Sequence, residues 1–145
     1  MPALNTVKVE FPSLSSNEAF ARSCAACFAA RLDPTLEELG DLKTAVSEAV
    51  TDAVVHAYPA EIGRVLMKLR LLEGNVLEVT VKDWGCGIPD VKQAMEPMYT
   101  TGGEERSGMG FSIMACFTDS LRVRSAPGKG TMVVMRKKLS SRSAQ

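Results

Sequence analysis

The sequence lacks the features that mark secreted, membrane-embedded and nucleic-acid-binding proteins. Its longest apolar run is far shorter than the roughly 20 residues that a membrane-spanning helix needs. No charged segment followed by an apolar one begins the chain, so no secretion signal is expected and the protein is predicted to be cytoplasmic. The 17 Lys and Arg residues balance the 17 Asp and Glu residues. This balance gives no support for direct binding of nucleic acid by a basic surface.

A complete set of metal-binding cysteines is also missing. Cys24 and Cys27 lie three residues apart in a helical pattern, but neither a second cysteine pair nor a histidine cluster accompanies them. The four cysteines are therefore expected to be reduced thiols. Internal repeats and interdomain linkers are absent from the sequence as well. We expect residues 1–139 to form one domain and residues 140–145 to form a polar tail.

Apolar periodicity predicts the element order β-α-α-β-β-loop-α-β-β. The alternation of apolar and polar residues marks the strands, and Gly74-Asn75 is a two-residue hairpin turn between the second and third strands. This order predicts a two-layer α/β sandwich, with a mostly antiparallel sheet and helices on one face. The predicted strands are 4–11, 65–72, 76–82, 120–125 and 131–138, and the predicted helices are 17–32, 35–57 and 111–117.

Two acids in the second predicted helix point to a charged site. Glu48 and Asp52 are four residues apart and therefore share a helix face. Small and apolar residues surround them, and a pair of like charges in such a setting costs stability unless a cation or ligand compensates. The alternative interpretation is that both side chains simply face water.

A third acid, Asp83, follows the third predicted strand and precedes two glycines, Gly85 and Gly87. A carboxylate at the rim of a sheet can accept a hydrogen bond from an exocyclic amine such as that of adenine. The glycines tolerate positive φ and allow the backbone to approach a flat ligand. The same pattern also forms ordinary turns, so this stretch taken alone leaves both interpretations open.

A glycine-rich run at 97–110 leads directly into the last predicted helix. A loop of this kind presents free backbone N–H groups and the positive end of the helix dipole, an arrangement that suits a phosphate group. Such a long loop is either functional or a surface loop without a ligand.

These features, together with Gly130-Thr131 before the last strand, resemble in their order the nucleotide-binding fold of the GHKL (Bergerat) ATPases, which include DNA gyrase, histidine kinases and MutL. More specific motifs resemble the SpoIIAB family of sporulation anti-sigma F factors, which are serine kinases and sigma-factor inhibitors. The motifs are NEAFAR at 17–22, LDPT at 32–35, VSEAVT at 46–51, HAY at 56–58 and ERSGMGFSIM at 105–114.

The resemblance implies that the chain binds ATP or ADP together with Mg²⁺. Asp83 would bind the adenine amine, Arg106 would reach the γ-phosphate, Glu48 would be the general base, and Asp52 would bind Mg²⁺. Gly85, Gly87 and Thr131 would shape the adenine pocket, and the lid over the phosphates would consist of Thr100, Thr101, Ser107, Gly108, Met109 and Gly110.

The resemblance also implies protein partners. A homodimer would sequester a sigma factor of the sigma-F type and would phosphorylate a serine of an anti-anti-sigma antagonist that is similar to SpoIIAA. Arg22 would contact both partners, so that they exclude one another. Its position off the apolar stripe of the first helix, which is marked by Phe20, Cys24, Cys27 and Phe28, predicts an exposed side chain.

Two departures from the family pattern bear on activity. Asp52 stands where the family usually has asparagine, and its added negative charge is expected to raise the pKa of Glu48 and to weaken it as a base. The lid is slightly shorter than in relatives and lacks an early basic residue. Two alternatives remain: a stress-response anti-sigma kinase of the RsbW type, and a catalytically impaired module that binds nucleotide and sigma factor.

Overall fold

The computed structural model describes residues 2–91 and 110–140. An extended β1 opens the described chain, two long helices follow, and a short π-helical segment at Ala53–Ala57 continues the second helix. The elements are β1 (Asn5–Pro12), α1 (Ser16–Ala30), α2 (Leu36–Asp52), β2 (Arg64–Leu72), β3 (Val76–Asp83), α3 (Gly110–Cys116), β4 (Ser120–Ala126) and β5 (Gly130–Lys138).

All five strands form one antiparallel sheet in the order β1-β2-β3-β5-β4. Alternate residues of each strand face the helices, because successive side chains of a strand point to opposite faces. Residues that are paired across neighbouring strands share a face of the sheet. Val65 of β2, for example, lies opposite Phe11 of β1 and opposite Asp83 of β3. The predicted two-layer sandwich is confirmed. The central strand of the sheet is β3, and its Asp83 end lies beside the helical layer.

The first helix buries only part of the stripe that its larger side chains predicted. Phe28 is buried and Cys24 packs against the core. Phe20 is 56% exposed and Cys27 is also exposed, so neither belongs to the core. The buried residues of α1 are Ala21, Ala25, Phe28 and Ala29. Small side chains allow α1 to lie close to α2, and this close packing outweighs the larger apolar area of Phe20.

The second helix begins with a capping box. The Thr35 hydroxyl accepts a hydrogen bond from the Glu38 amide at 3.1 Å, and the Glu38 carboxylate accepts one from the Thr35 amide at 2.9 Å. The same carboxylate accepts two bonds of 2.8 Å from Ser140. Burial alone would raise the pKa of Glu38, but these hydrogen bonds outweigh it and lower the pKa. The residue therefore secures both the start of α2 and the chain after β5.

The described residues include no helix that combines the length and the apolar character required to cross a bilayer.

Replacing Thr35 with alanine is expected to lower the free energy of unfolding by about 1 kcal/mol, because the first turn of α2 loses its side-chain acceptor. Urea denaturation at pH 7 measures this cost. The matched control is Thr51→Ala, at an exposed threonine of the same helix, which should change stability by less than about 0.5 kcal/mol. Equal costs for the two variants would contradict a capping role for Thr35.

Candidate functional site

The carboxylate of Asp83 lies almost fully buried where β3 ends. Its Oδ1 atom accepts hydrogen bonds from the amides of Gly85, at 3.0 Å, and Thr131, at 3.1 Å. Burial, as the largest influence, raises the pKa of Asp83 despite these two bonds. Both bonds use Oδ1, so Oδ2 can accept a hydrogen bond from a ligand. The carboxylate is thus held in place by the protein through one oxygen.

The two glycines after Asp83 are required by the protein itself. A Cβ atom on Gly85 would lie 2.1 Å from the Ala57 carbonyl oxygen, and one on Gly87 would lie 2.0 Å from that of Ala126. Gly87 also has a φ of +77°, a conformation that other residues adopt at a cost. These glycines therefore let the loop pack closely against the end of the helical layer and against the β4–β5 turn.

The Thr131 hydroxyl is oriented by Ser125, which lies directly opposite it on β4. The two hydroxyl oxygens are 2.8 Å apart, and Ser125 also donates to the Gly130 carbonyl at 2.9 Å. A serine hydroxyl has one hydrogen, so Thr131 must be the donor in their mutual bond. The Thr131 oxygen therefore presents only lone pairs to the pocket and suits a ligand group that donates. Sequence reasoning missed Ser125, because only the strand register reveals the pair.

Glu48 and Asp52 stand near the end of α2, beside the start of α3. A Cβ atom on Gly110 would lie 3.7 Å from Glu48 Oε2. Burial raises the pKa of Glu48, and the charge of Asp52 raises it further. Asp52 also contributes to the raised pKa of Asp83. Asp52 therefore lies within electrostatic reach of both Glu48 on α2 and Asp83 on β3.

The π-helical segment connects Asp52 at the end of α2 to the loop after β3. The His56 Nε2 atom lies 4.0 Å from Asp52 Oδ1, and the Ala57 carbonyl accepts a hydrogen bond from the Cys86 amide at 2.9 Å. Such π-helical insertions are frequent at functional sites. The sequence contains no signal for the segment, because its apolar spacing is compatible with a continuous α-helix.

Tyr58 anchors the same region and was not predicted as a site residue. Its hydroxyl donates to the Arg64 carbonyl and accepts from the Trp84 amide, each at 2.7 Å. These bonds fix the residue that directly follows Asp83. The side chain therefore positions the pocket rather than lining it.

Arg22 lies on α1, and its side chain is 41% exposed, in agreement with the predicted surface position. Its guanidinium group is 3.6 Å from the carboxylate of Glu18. Glu18 in turn accepts a hydrogen bond from the hydroxyl of Ser47, the residue before Glu48. Two side-chain contacts thus connect the exposed arginine to the helix that carries the paired acids. Sequence periodicity gave no indication of the contact between Glu18 and Ser47.

Most of the predicted lid lies outside the described residues. Gly110 is described and begins α3. The remaining predicted residues of the loop are Thr100, Thr101, Arg106, Ser107, Gly108 and Met109.

The donor set fits a magnesium ion that is bound mainly by phosphates. Within residues 2–91 and 110–140, no group of three or more His, Cys, Asp or Glu side chains could hold a metal ion. Asp52 would supply a single hard oxygen ligand. Mg²⁺ is often held by one or two carboxylates together with phosphate oxygens and water, so one acid is sufficient when a nucleotide supplies the other ligands.

Known proteins share the fold and much of the sequence of this chain. The model of the histidine kinase-like ATPase domain matches residues 11–137. An anti-sigma F factor from Thermoanaerobacter sp. (strain X514) is 49% identical over 142 residues, which cover 97% of this chain and 99% of the relative. The anti-sigma F factor from Pasteuria penetrans is 55% identical over 137 residues, which cover 93% of this chain and 91% of the relative. The chain belongs to the anti-sigma F factor family. The resemblance inferred from the sequence motifs is confirmed.

Solved structures show that this member of the anti-sigma F factor family shares its fold with more distant proteins. The RsbU and RsbW domains of a Mycobacterium tuberculosis protein match with a TM-score of 0.68 at 16% identity, over 94% of this chain and 32% of that one. Full-length ShkA in complex with AMPPNP matches with a TM-score of 0.61 at 17% identity, over 97% of this chain and 33% of that one. At these identities the similarity establishes the fold alone.

Asp52→Asn is expected to lower the pKa of Glu48, because it removes the negative charge that stands one helical turn away. The pKa should remain above the ordinary value for glutamate, since burial is the larger cause. An NMR titration of the Glu48 carboxyl carbon measures both points. Glu61→Gln, at an exposed acid outside the site, serves as the control. An unchanged pKa in Asp52→Asn would contradict the coupling between the two acids.

Proposed function

We propose that the protein is an anti-sigma factor and an ATP-Mg²⁺-dependent protein serine kinase that phosphorylates its anti-anti-sigma antagonist. The observation that carries the proposal is that Asp52 lies within electrostatic reach of two other carboxylates, which together with it would line the proposed site. Asp83 marks one end, the Glu48–Asp52 pair marks the other, and Asp52 raises the pKa of both neighbours. Like charges gathered in this way indicate a site for a cation and a polar ligand.

The part of the proposed site around Asp83 suits the adenine base of ATP. The free Oδ2 of the fixed carboxylate accepts a hydrogen bond from the exocyclic amine of the base, and the Thr131 oxygen offers lone pairs nearby. Gly85 and Gly87 leave the adjoining loop without side chains. The buried carboxylate selects for a donor group, because a ligand that lacks one would leave Oδ2 desolvated and unpaired.

The part of the proposed site around Asp52 suits the phosphates of ATP. With Mg²⁺ held at Asp52, the charge of the phosphates would be neutralised. Asp52 would hold the ion through a carboxylate oxygen, and Gly110 would adjoin the phosphates at the start of α3. Arg106 of the lid would stabilise the charge that develops on the γ-phosphate. The remaining proposed lid contacts come from Thr100, Thr101, Ser107, Gly108 and Met109.

Glu48 acts as the general base. It lies one turn before the magnesium ligand, where it can orient a serine hydroxyl toward the γ-phosphate and take its proton. A raised pKa makes the ionised carboxylate a better proton acceptor, so the weakening expected from Asp52 is limited to a smaller ionised fraction as the pH falls. Activity should therefore decline at a higher pH than it would with an unperturbed glutamate.

The partner side of the proposal follows from the family. The relatives carry the name anti-sigma F factor, so a sigma factor of the sigma-F type is the proposed target. A homodimer would bind it, and Arg22 would contact both the sigma factor and the antagonist. Since both partners would need the same guanidinium group, binding of one excludes the other.

Glu48→Gln is expected to slow phosphate transfer to the antagonist by about 10²–10⁴-fold, because it removes the base and keeps the size of the side chain. Transfer of label from γ-labelled ATP to the antagonist tests this prediction. A separate assay of ATP binding shows whether the variant still binds the nucleotide. Glu37→Gln, at an exposed acid in the first turn of α2, is the matched control. Absence of transfer by the unaltered protein, with ATP and sigma binding intact, would show a binding module without kinase activity.

Arg22→Glu is expected to weaken binding of the sigma factor by at least about tenfold, while ATP affinity is kept. The new carboxylate would repel Glu18 and any acidic group of the partner. Titration calorimetry against the purified sigma factor measures the change. Arg122→Glu, on the exposed strand β4, controls for a change in net charge. Sigma binding at unchanged affinity would remove Arg22 from the interface.

A further inference from the structure

A polar groove runs between α1 and α2 and ends at the proposed catalytic base. Its volume is about 530 Å³. We name it the α1–α2 groove and define it by Arg22 and Ser23 on α1 and by Lys43, Thr44, Ser47 and Glu48 on α2. Because Glu48 belongs both to this groove and to the carboxylate site, any chain that occupies the groove passes beside the base.

The groove has a cation on each wall. On α1, Arg22 is paired with Glu18. On α2, Lys43 is exposed, and no ion pair to it exists within the described residues. The residues three and four positions away from Lys43 on the helix are Leu39, Gly40, Val46 and Ser47, so no carboxylate stands where a helical ion pair would form. The groove therefore offers Lys43 to an acidic group from outside the described chain.

The groove is also kept open by a glycine that the fold does not require. Gly40 lies inside α2, and a Cβ atom added there would meet no atom within 4 Å. Its φ is not positive. Glycine inside a helix is less stable than alanine. With neither steric nor conformational need for glycine, its effect is to leave this part of the groove free of a side chain.

We propose that the α1–α2 groove seats an acidic segment of the phosphoacceptor protein, and that Lys43 determines specificity by pairing with a carboxylate of that segment. This inference rests on the proposed kinase function and names the docking site of its substrate. Lys43 binds the acidic group, and the serine hydroxyl that follows along the segment reaches Glu48. The hydroxyls of Thr44 and Ser47 donate to the Gly40 carbonyl and to Glu18. They can therefore accept hydrogen bonds from amides of the segment, and the Ser23 hydroxyl can donate or accept.

The helix geometry limits where the acidic residue lies. Lys43 and Glu48 are five positions apart on α2, which corresponds to a rise of about 7.5 Å along the helix axis. An extended chain covers that distance in about two residues. Allowing for the reach of the lysine side chain, the acidic residue is expected within about three residues of the phosphorylated serine.

Charge reversal at Lys43 tests the inference through binding. The probe is the anti-anti-sigma protein of the same organism, titrated by calorimetry in the presence of AMPPNP and Mg²⁺. Lys43→Glu should weaken binding by about tenfold or more, and Lys43→Arg should preserve it. Lys8→Glu, at an exposed residue on the edge strand β1, is the matched control and should bind as the unaltered protein does. Binding of Lys43→Glu within twofold of the unaltered protein would overturn the inference.

A charge swap identifies the partner group. Replacing the acidic residue next to the antagonist's serine with lysine should weaken binding to the unaltered protein and restore it to Lys43→Glu. With Lys43→Gln, the KM for the antagonist should rise several-fold, while kcat at saturation stays within about twofold. A loss of kcat with unchanged KM would contradict a docking role.

Gly40→Leu separates docking from folding. Leucine favours the helix, so the Tm should rise by about 2–4 °C, while the added side chain obstructs the groove and weakens antagonist binding. A stable variant that binds at full affinity would overturn the inference. If the unaltered protein transfers no phosphate but its binding depends on Lys43, the kinase proposal fails and the docking site stands.

Discussion

The proposed site depends on the hydrogen bonds that the buried carboxylate of Asp83 accepts from the backbone. Through Oδ1 the carboxylate joins the end of β3 to the loop that follows and to the first residues of β5. Those bonds fix where the loop runs, and the loop in turn packs against the π-helical extension of α2. The cost of burying the charge is partly offset by two backbone donors, and the remaining oxygen is left to a ligand.

The second constraint is electrostatic. The charge of Asp52 raises the pKa of both Glu48 and Asp83. A pocket lined by like charges is destabilised when empty and gains stability when a cation and donor groups enter it. An asparagine at position 52, which the resemblance to the family implies is usual, would weaken this repulsion. Under the proposed function, the carboxylate of Asp52 strengthens the repulsion and would make nucleotide binding depend more strongly on Mg²⁺.

The third constraint links the carboxylate site to the surface. Ser47, Glu18 and Arg22 form a series of side-chain contacts from α2 to the exposed face of α1. Ser47 adjoins Glu48 in sequence, and both line the α1–α2 groove. Under the proposed function, a partner that engages Arg22 would act on a network whose other end adjoins Glu48, the proposed base. The contacts would then be a physical route between partner binding and phosphate transfer.

The amino-acid sequence by itself determined the element order and the two-layer architecture, and it predicted which acids form the proposed site. Those features depend on local periodicity and on residue type, which a single chain displays directly. It predicted that Glu48 and Asp52 share a face, because four residues make about one helical turn. It failed for part of the buried face of α1, where Phe20 proved exposed, since helix packing depends on close approach as well as on apolar area.

Only the tertiary structure decided the contacts between distant residues. The bond from Thr131 to Asp83 spans 48 residues, and the pairing of Ser125 with Thr131 follows from strand register. The sequence placed glycines after Asp83, but only the packed loop showed that backbone carbonyls of Ala57 and Ala126 occupy the space where their side chains would lie. Register and packing arise from all elements together, and no local pattern encodes the distances that they set.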